Sequence, residues 1–241
     1  PREIFWPERK ASSGLALTET GTRIALLNDI AKVLKSPFAA GPIVNGVVTT
    51  GGDAAALSSS PHDRRERVGT VRLATPAQLE EAIASAAGAA HLWDVTDVAI
   101  RARCLELAAD LFERDRAILM ASLVREAGKT LEAAQAEVRE AADYLRYYAS
   151  ESRRIFSEPV VLKGPTGEEN FLTLRARGPF ACISPWNFPL AIFTGQVAAA
   201  LAAGNPVLAK PAEQTPITAF LAVKILHEAG VPKELLHLVT G

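Results

Sequence analysis

The sequence predicts an α/β fold organised around a doubly wound sheet of parallel strands. Two observations predict it. Residues 180–240 alternate between short apolar runs and helical segments in the order strand, helix, strand, helix, strand, which is typical of parallel strands joined by right-handed crossovers. Residues 75–150 form long amphipathic helices, which would cover one face of a larger structure. In such sheets ligands bind beyond the carboxyl ends of the strands, so we expect the functional residues there.

Each element of residues 180–240 has local start and stop signals. Pro185 ends the first strand, because a proline ring removes a backbone donor and disfavours helix at the preceding residue. Gly204 occupies the position at which helices end in the left-handed conformation. Thr215 and Pro216 are typical of a helix cap and first helical position. Strands are therefore predicted over residues 180–184, 207–209 and 235–240, and helices over residues 190–203 and 216–229.

The upstream elements follow from shorter signals. Asn45-Gly46 between two β-branched pairs indicates a tight hairpin, and Thr75 with Gln78 forms a capping box in front of a helix. In chain order, we predict a linker or surface arm over residues 1–21, a helix over 22–34, a hairpin over 43–48, a loop at 58–61, a strand over 68–73, and helices over 75–93, 97–127 and 130–150.

A two-stranded arm is predicted ahead of the sheet. Two apolar runs, residues 160–162 and 171–174, flank the turn sequence GPTG at residues 164–167. An isolated hairpin is only marginally stable in water. We therefore expect the arm to pack on a neighbouring molecule and the protein to be a homo-oligomer.

Composition and charge narrow the class of protein. The chain has 241 residues, of which 49% are hydrophobic and 22% are charged, and its net charge is −1. Because no basic excess is present to neutralise phosphates, nucleic acid is not expected as a partner. The apolar residues 190–201 are too few to span a membrane, and the charged N-terminus does not resemble a signal peptide. Two distant cysteines indicate a reducing compartment such as the cytoplasm.

The second predicted strand ends in Lys210-Pro211-Ala212-Glu213. A cation and an acceptor three residues apart at the mouth of a cleft can bond the two hydroxyls of a ribose. No G-x-G-x-x-G or Walker pattern follows the first strand, so a dinucleotide would not be held by the usual glycines. A solvated lysine and a first-turn glutamate favoured by the helix dipole are an equally good interpretation.

The first strand ends in Ser184-Pro185-Trp186-Asn187, within a loop bounded by Pro185 and Pro189. An amide on a rigid loop is well placed to donate to a developing oxyanion. Asn is also common in turns, where it bonds its own loop backbone. The residues by themselves favour this second, structural role.

The cysteines and histidines carry no catalytic or metal-binding pattern. Cys182 lies inside the first strand and Cys104 on the apolar stripe of a helix. Neither has a neighbouring His or Lys that would lower its pKa, so we predict that neither is a nucleophile. His227 is predicted at a helix end and His237 on a strand. With His62 and His91, they lack the spacing of metal ligands, so we expect no metal.

The ordered motifs of residues 180–216 resemble the aldehyde dehydrogenase superfamily. FACISPWNFPL at residues 180–190 is followed by ALAAGNPVLAKPAEQTP at residues 200–216, and upstream VGTV (68–71), EAGKT (126–130) and EVREAADYLRYYA (137–149) fit the same family. The resemblance covers about residues 42–241. PREIFWPERKASSGLAL at residues 1–17 and GPTGEENFLTLRARGPF at residues 164–180 are similar, more narrowly, to the proline utilization A family. That family is the bacterial fusion of proline dehydrogenase with L-glutamate γ-semialdehyde dehydrogenase.

The resemblance implies a fold and a set of roles. The fold would be the N-terminal half of an aldehyde dehydrogenase, with a linker at residues 1–41, a partial Rossmann-like NAD-binding domain at 42–241, a helical layer, a protruding β-hairpin arm at 156–178 and a βαβαβ cofactor half at 179–241. Asn187 would donate to the oxyanion, and Lys210 and Glu213 would hold the adenosine ribose of NAD. The other residues implied as binding the cofactor are Ile183, Ser184, Pro185, Trp186, Ala212 and Asn187 itself.

The implied reaction is NAD-dependent oxidation of L-glutamate γ-semialdehyde to glutamate, through attack of a Cys thiolate and hydrolysis by a Glu-activated water. The chain starts at Pro1 and stops directly after a strand at Gly241. We therefore expect a piece of a longer polypeptide that lacks this nucleophile and base and is inactive alone. FAD is expected only in a separate proline dehydrogenase domain, and the full-length protein in the cytoplasm, with peripheral association at the inner membrane. Alternatives are another aldehyde dehydrogenase and a non-catalytic dinucleotide-binding or oligomerisation module.

Overall fold

The computed structural model describes residues 3–50 and 55–241, and residues 1 and 2 of the predicted arm lie outside this part. The helices are α1 (Thr20–Val33), α2 (Pro76–Asp94), α3 (Val98–Arg114), α4 (Arg116–Glu126), α5 (Leu131–Phe156), α6 (Ala191–Ala202) and α7 (Pro216–Glu228). The strands are β1 (Phe38–Ala40), β2 (Ile43–Val44), β3 (Val47–Val48), β4 (Ala55–Ser59), β5 (Arg67–Arg72), β6 (Val160–Lys163), β7 (Glu169–Leu172), β8 (Phe180–Ile183), β9 (Val207–Lys210) and β10 (Leu236–Leu238).

The predicted βαβαβ unit is present and forms the largest sheet of the described residues. Its strand order is β3-β2-β10-β9-β8. Strands β8, β9 and β10 run parallel, as predicted, with α6 and α7 as the crossovers. The hairpin β2–β3 adds an antiparallel edge next to β10. Its turn residues Asn45 and Gly46 both have positive φ, as the Asn-Gly turn requires.

The three-stranded sheet β1-β5-β4 contains a correction to the sequence prediction. Residues 58–61 were expected to form a loop, but Ser58 and Ser59 belong to β4, which pairs antiparallel with β5. A serine-rich edge strand has little apolar alternation, so its position depends on the partner strand and not on its own pattern. Strand β1 was not predicted; it pairs in parallel with the other edge of β5.

The single helix predicted over residues 97–127 is wrong, because the structure has two helices there. α3 ends at Arg114 and α4 begins at Arg116, and the intervening Asp115 has φ −93° and ψ 19°. Both carboxylate oxygens of Asp115 accept from the Arg114 guanidinium, at 2.7 and 2.6 Å, and the same guanidinium reaches Glu228 of α7. The break is thus accompanied by a contact with α7, and neither Gly nor Pro marks it in the sequence.

The hydrophobic core lies between the sheet and a layer formed by α3, α4 and α5. α5 packs on α3 and α6, while α3 and α4 also contact α7. Alanine supplies much of this interface, and Phe112 and Phe193 are among its largest fully buried side chains. Small side chains allow helix axes to approach closely. The fully buried alanines of the layer include Ala102, Ala108, Ala109, Ala134, Ala141, Ala142 and Ala149.

Residues 11–15 of the predicted surface arm lie against the helical layer. The amide and hydroxyl of Ser12 donate to Asp143 on α5, at 2.7 and 2.8 Å. The backbone of Leu15 exchanges two hydrogen bonds with the amide of Gln135, both at 3.0 Å. Ser12 is buried. This part of the N-terminal segment is therefore fixed to α5 by paired polar contacts.

We predict that Gly204→Ala destabilises the fold while Gly88→Ala stabilises it. Gly204 has φ +88° and closes α6 with bonds from its own amide and from that of Asn205 to the last turn. A side chain there costs about 1–2 kcal/mol in the left-handed conformation. Gly88 lies inside α2 with open space around its Cα, where alanine gains about 0.5–1 kcal/mol of stability. Urea unfolding of both variants measures the difference, and equal effects would contradict the assigned helix end.

Candidate functional site

The structure brings the two predicted strand ends side by side. In the parallel pair β8–β9, Ile183 lies opposite Lys210. One residue further, the Ser184 amide donates to the Lys210 carbonyl at 3.1 Å, and its hydroxyl reaches the same oxygen at 3.4 Å. The segments that follow, one carrying Asn187 and the other Glu213, therefore leave the sheet at the same edge.

The residues at this edge form an open surface. Ile183 and Trp186 are large apolar side chains that are 67% and 57% exposed, and Pro185 and Ala212 are half-buried beside them. Of the predicted cofactor residues, Ser184 is buried. Exposed apolar side chains grouped at the carboxyl ends of parallel strands are typical of a ligand-binding or docking surface.

Three polar side chains of this surface are available to a ligand. The Lys210 ammonium is half-buried and donates to the neighbouring Pro211 carbonyl at 3.2 Å. The exposed Asn187 side chain has no hydrogen bond within the described part of the chain. The sequence favoured a structural role in which this side chain bonds its own loop backbone, and that bond is not observed. Glu213 is also exposed. Their roles as oxyanion donor and ribose ligands remain predictions.

The loop that carries Asn187 is anchored by a buried carboxylate from α5. Glu137 is 1% exposed, and its Oε1 accepts from the backbone amides of Leu190 and Ala191 at 2.8 and 3.2 Å. These amides begin α6, whose preceding residue makes no side-chain cap. The first N–H groups of a helix need acceptors, and Glu137 supplies one across the interface between the two layers.

Lys129 completes this anchor. Its Nζ lies 2.7 Å from Oε2 of Glu137 and 4.2 Å from the centroid of the Phe188 ring. The ion pair compensates the buried charge of Glu137, and the cation–π contact fixes the residue next to Asn187. The loop is thus held on both sides of its exposed amide.

A second buried carboxylate anchors the segment after Lys210. Glu126, the last residue of α4, is 4% exposed. Its Oε1 accepts from the Ile217 amide at 2.8 Å, and its Oε2 accepts from the amide and hydroxyl of Thr218, both at 2.9 Å. Thr215 lies at the predicted N-cap position of α7, but the expected capping bond is absent: its side chain makes no such bond, and its hydroxyl is buried without a partner among the described residues. Glu126 takes its place from outside the helix.

Burial sets the protonation of Glu126. Desolvation raises its pKa to about 7, and the bonds from Ile217 and Thr218 act in the opposite direction. No cation lies within ion-pair distance of its carboxylate among the described residues, whereas Glu137 has Lys129. Glu126 therefore changes charge near neutral pH.

The cysteines and histidines have structural surroundings. Burial raises the pKa of the Cys182 thiol to about 11 and also raises that of Cys104, which agrees with the prediction that neither is an activated nucleophile. His237 is fully buried; its Nδ1 accepts from the Asn45 amide at 3.2 Å and its Nε2 lies 3.1 Å from the Glu234 carbonyl. Among residues 3–50 and 55–241, no three His, Cys, Asp or Glu side chains are grouped as metal ligands.

Sequence reasoning did not assign roles to Glu126, Lys129 and Glu137. A signal was present, because Glu137 lies on the same helical face as the buried Ala134, Val138 and Ala141. A carboxylate on the apolar face of an amphipathic helix needs a buried partner. The identity of that partner, the start of α6, depends on the tertiary structure.

Comparison with known proteins assigns the chain to a protein family. The sequence profile described as "Aldehyde dehydrogenase family" matches residues 49–241. This chain belongs to the aldehyde dehydrogenase family. The α/β fold and the resemblance to that family predicted from the sequence are thereby confirmed. None of the described helices is long and apolar enough to cross a membrane.

Related proteins narrow the resemblance within the family. The bifunctional protein PutA of Escherichia coli (strain K12) is 44% identical over 241 residues, which are 100% of this chain and 17% of that protein. The 1-pyrroline-5-carboxylate dehydrogenase of Oceanobacillus iheyensis is 38% identical over 185 residues, which are 77% of this chain and 36% of that one. The chain thus spans about one-sixth of the length of the PutA proteins that it matches.

Solved structures of the same two kinds of protein superpose on this chain. A crystal structure of bifunctional proline utilization A superposes with a TM-score of 0.81 at 44% identity, covering 100% of this chain and 21% of the other. Proline utilization A from Bdellovibrio bacteriovorus superposes with a TM-score of 0.91 at 32% identity, covering 98% and 24%. The 1-pyrroline-5-carboxylate dehydrogenase from Thermus with bound NAD reaches 0.89 at 32% identity, covering 96% and 45%.

We predict that Glu126 makes the fold less stable as the pH rises from about 4.5 to about 7. Its pKa in the folded state, about 7, exceeds the ordinary value of 4.5, so the folded protein holds this proton more tightly than the unfolded chain. The contribution of Glu126 to stability is then greatest below pH 4.5 and falls up to the folded pKa, by roughly 3 kcal/mol.

Urea unfolding at a series of pH values measures this dependence, with Glu126→Gln as the comparison. The neutral amide cannot titrate and has one acceptor oxygen fewer, so the difference in unfolding free energy between the two proteins should be constant below the ordinary pKa and should shift in favour of Glu126→Gln as the pH rises toward neutral. Parallel stability curves for the two proteins would contradict the assignment.

Proposed function

We propose that this chain is part of an NAD-dependent L-glutamate γ-semialdehyde dehydrogenase, within a bifunctional protein that also contains a proline dehydrogenase. The observation that carries the proposal is the pairing of Ile183 with Lys210 at the tips of β8 and β9. This pairing brings two segments to one open edge of the sheet. One segment carries Asn187, and the other comprises residues 210–213. The names of the matched relatives, PutA and 1-pyrroline-5-carboxylate dehydrogenase, support the substrate.

The residues of this edge fit a dinucleotide. Ile183 and Trp186 offer exposed apolar surface, which suits the flat parts of the cofactor. Lys210 and Glu213 offer a donor and an acceptor for the ribose hydroxyls, and Ser184, Pro185 and Ala212 complete the lining. NAD, when bound, supplies the acceptor for a hydride.

The chain's own chemical contribution is the amide of Asn187. When a nucleophile adds to an aldehyde, the carbonyl oxygen gains negative charge, and a fixed N–H donor stabilises it. The pKa of both thiols in this chain is raised by burial, so the attacking thiolate would come from outside residues 1–241. Cys104 and Cys182 are free thiols, which supports the cytoplasm as the compartment. FAD would belong to the proline dehydrogenase part.

We predict that the full-length protein reduces NAD with L-glutamate γ-semialdehyde and that Asn187→Ala lowers kcat about 100- to 1,000-fold, because one oxyanion donor is lost. Thr166→Ala, at the tip of the arm, is the control. Steady-state kinetics with this aldehyde and a panel of unrelated aldehydes measures both the substrate preference and the loss of kcat. Activity on the unrelated aldehydes alone would assign a different dehydrogenase, and an unaffected Asn187→Ala would remove the oxyanion role.

The arm supports an oligomer. All eight residues of β6 and β7 are exposed, among them Val161 at 68% and Phe171 at 58%. A hairpin with apolar side chains exposed in this way gains stability by packing on another surface. We propose a second copy of the protein as that surface.

We therefore predict that Val161→Asp in the full-length protein shifts it toward a smaller assembly, because a charge would be buried at the interface. Lys163→Gln, on the same strand, is the matched control and should leave the assembly unchanged. Sedimentation at several protein concentrations measures both, and an unchanged mass for Val161→Asp would exclude the arm as the interface.

A further inference from the structure

The two crossover helices of the sheet begin in the same way. At the start of α6, backbone amides donate to Glu137 of α5, and at the start of α7, backbone amides donate to Glu126 of α4. Each helix follows directly on one of the two site segments. The same helical layer therefore holds both segments, but through two separate carboxylates.

We propose that Glu137 and Glu126 are positioning residues with divided tasks. Glu137 would hold the oxyanion donor Asn187 and so govern turnover, whereas Glu126 would hold the segment of Lys210 and Glu213 and so govern the affinity for NAD. This inference rests on the proposed function and assigns to it two buried residues that act through the segments they hold.

The Asn187 loop is restrained on both sides of its amide. Before it, Ser184 is tied to β9 by two contacts to the Lys210 carbonyl. After it, Phe188 packs against the Lys129 ammonium, and the amide of Leu190 bonds Glu137. Asn187 itself is exposed and has no bond in the described part of the chain. A side chain with a free amide on a restrained backbone is pre-organised for a ligand, and small displacements of such a group reduce turnover strongly.

The segment of Lys210 and Glu213 is restrained in a different way. Between the end of β9 and the start of α7, the Thr215 amide bonds the Ala212 carbonyl at 3.1 Å, which forms a tight turn that contains Glu213. Beyond this turn Glu126 is the acceptor for the first amides of α7. Glu126 and Glu213 also line a common cavity of about 400 Å³. Loss of the Glu126 cap would therefore move the turn that carries Glu213, while the loop of Asn187 keeps its own anchor.

The two anchors also differ in charge. Glu137 forms an ion pair with Lys129 at 2.7 Å, so a neutral residue at position 137 leaves a mostly buried ammonium unpaired. Glu126 is bonded by neutral donors. The charged groups near it are Arg125, which pairs with Glu66 at 3.1 Å, and Glu213 and Arg64 across the cavity.

The test compares Glu137→Gln and Glu126→Gln in the full-length protein, each serving as the control for the other. For Glu137→Gln we expect kcat to fall about 10- to 100-fold with KM for NAD within about twofold. For Glu126→Gln we expect KM and the directly titrated Kd for NAD to rise about tenfold, with kcat within about twofold. Lys129→Met should reproduce the first pattern and Lys129→Arg should retain near-normal turnover, because it keeps the charge.

The results separate this inference from the proposed function. Absence of NAD-dependent aldehyde oxidation in the unmodified protein would overturn both. With an active unmodified protein, parallel changes of kcat and KM in both variants, in proportion to their loss of thermal stability, would show mere structural damage and overturn the divided roles alone. Where Glu137→Gln does not fold, Lys129→Met gives the same reading, and an unchanged kcat there would overturn the role of Glu137.

Discussion

A helix that begins inside a protein carries backbone N–H groups that need acceptors. α6 and α7 both begin inside this one, and neither has a capping side chain of its own. Glu137 and Glu126 satisfy these groups from a different layer of the structure. Because the acceptors come from α5 and α4, the sheet and the helical layer depend on each other for their polar contacts. The two loops at the strand tips are fixed as a consequence of the same bonds.

These bonds constrain the packing around them. A glutamate side chain is short, so α5 must lie close to the start of α6 for Glu137 to reach it. Alanine on the facing surfaces permits this approach, since its side chain occupies little space between helix axes. Buried alanines on the two helices include Ala134, Ala141, Ala142, Ala198 and Ala200. The core composition and the geometry of the candidate site are therefore linked, and an enlarged core residue at this interface would also displace a site loop.

Much of the fold follows from local sequence signals. The capping box at Thr75, the Asn45-Gly46 turn and the helix end at Gly204 lie where the sequence places them, because each needs only a few neighbouring residues. The break at Asp115 and the strand β4 could not be predicted in this way, since no Gly or Pro marks the break and β4 is positioned by its pairing with β5. The same distinction holds at the site, where the strand-tip residues were predicted and their supports were not.

The sequence by itself determined the strand and helix order of residues 180–240, the residues at the strand ends and, through its motifs, the resemblance to the aldehyde dehydrogenase family. It did so because turn, cap and strand-end signals act within a few residues of the chain. Only the tertiary structure decided that the Thr215 side chain does not cap α7, that Glu126 supplies the acceptor instead, and that Glu137 and Lys129 hold the Asn187 loop. Those assignments join residues more than 50 positions apart, and a contact over such a distance exists only once the helical layer has packed on the sheet.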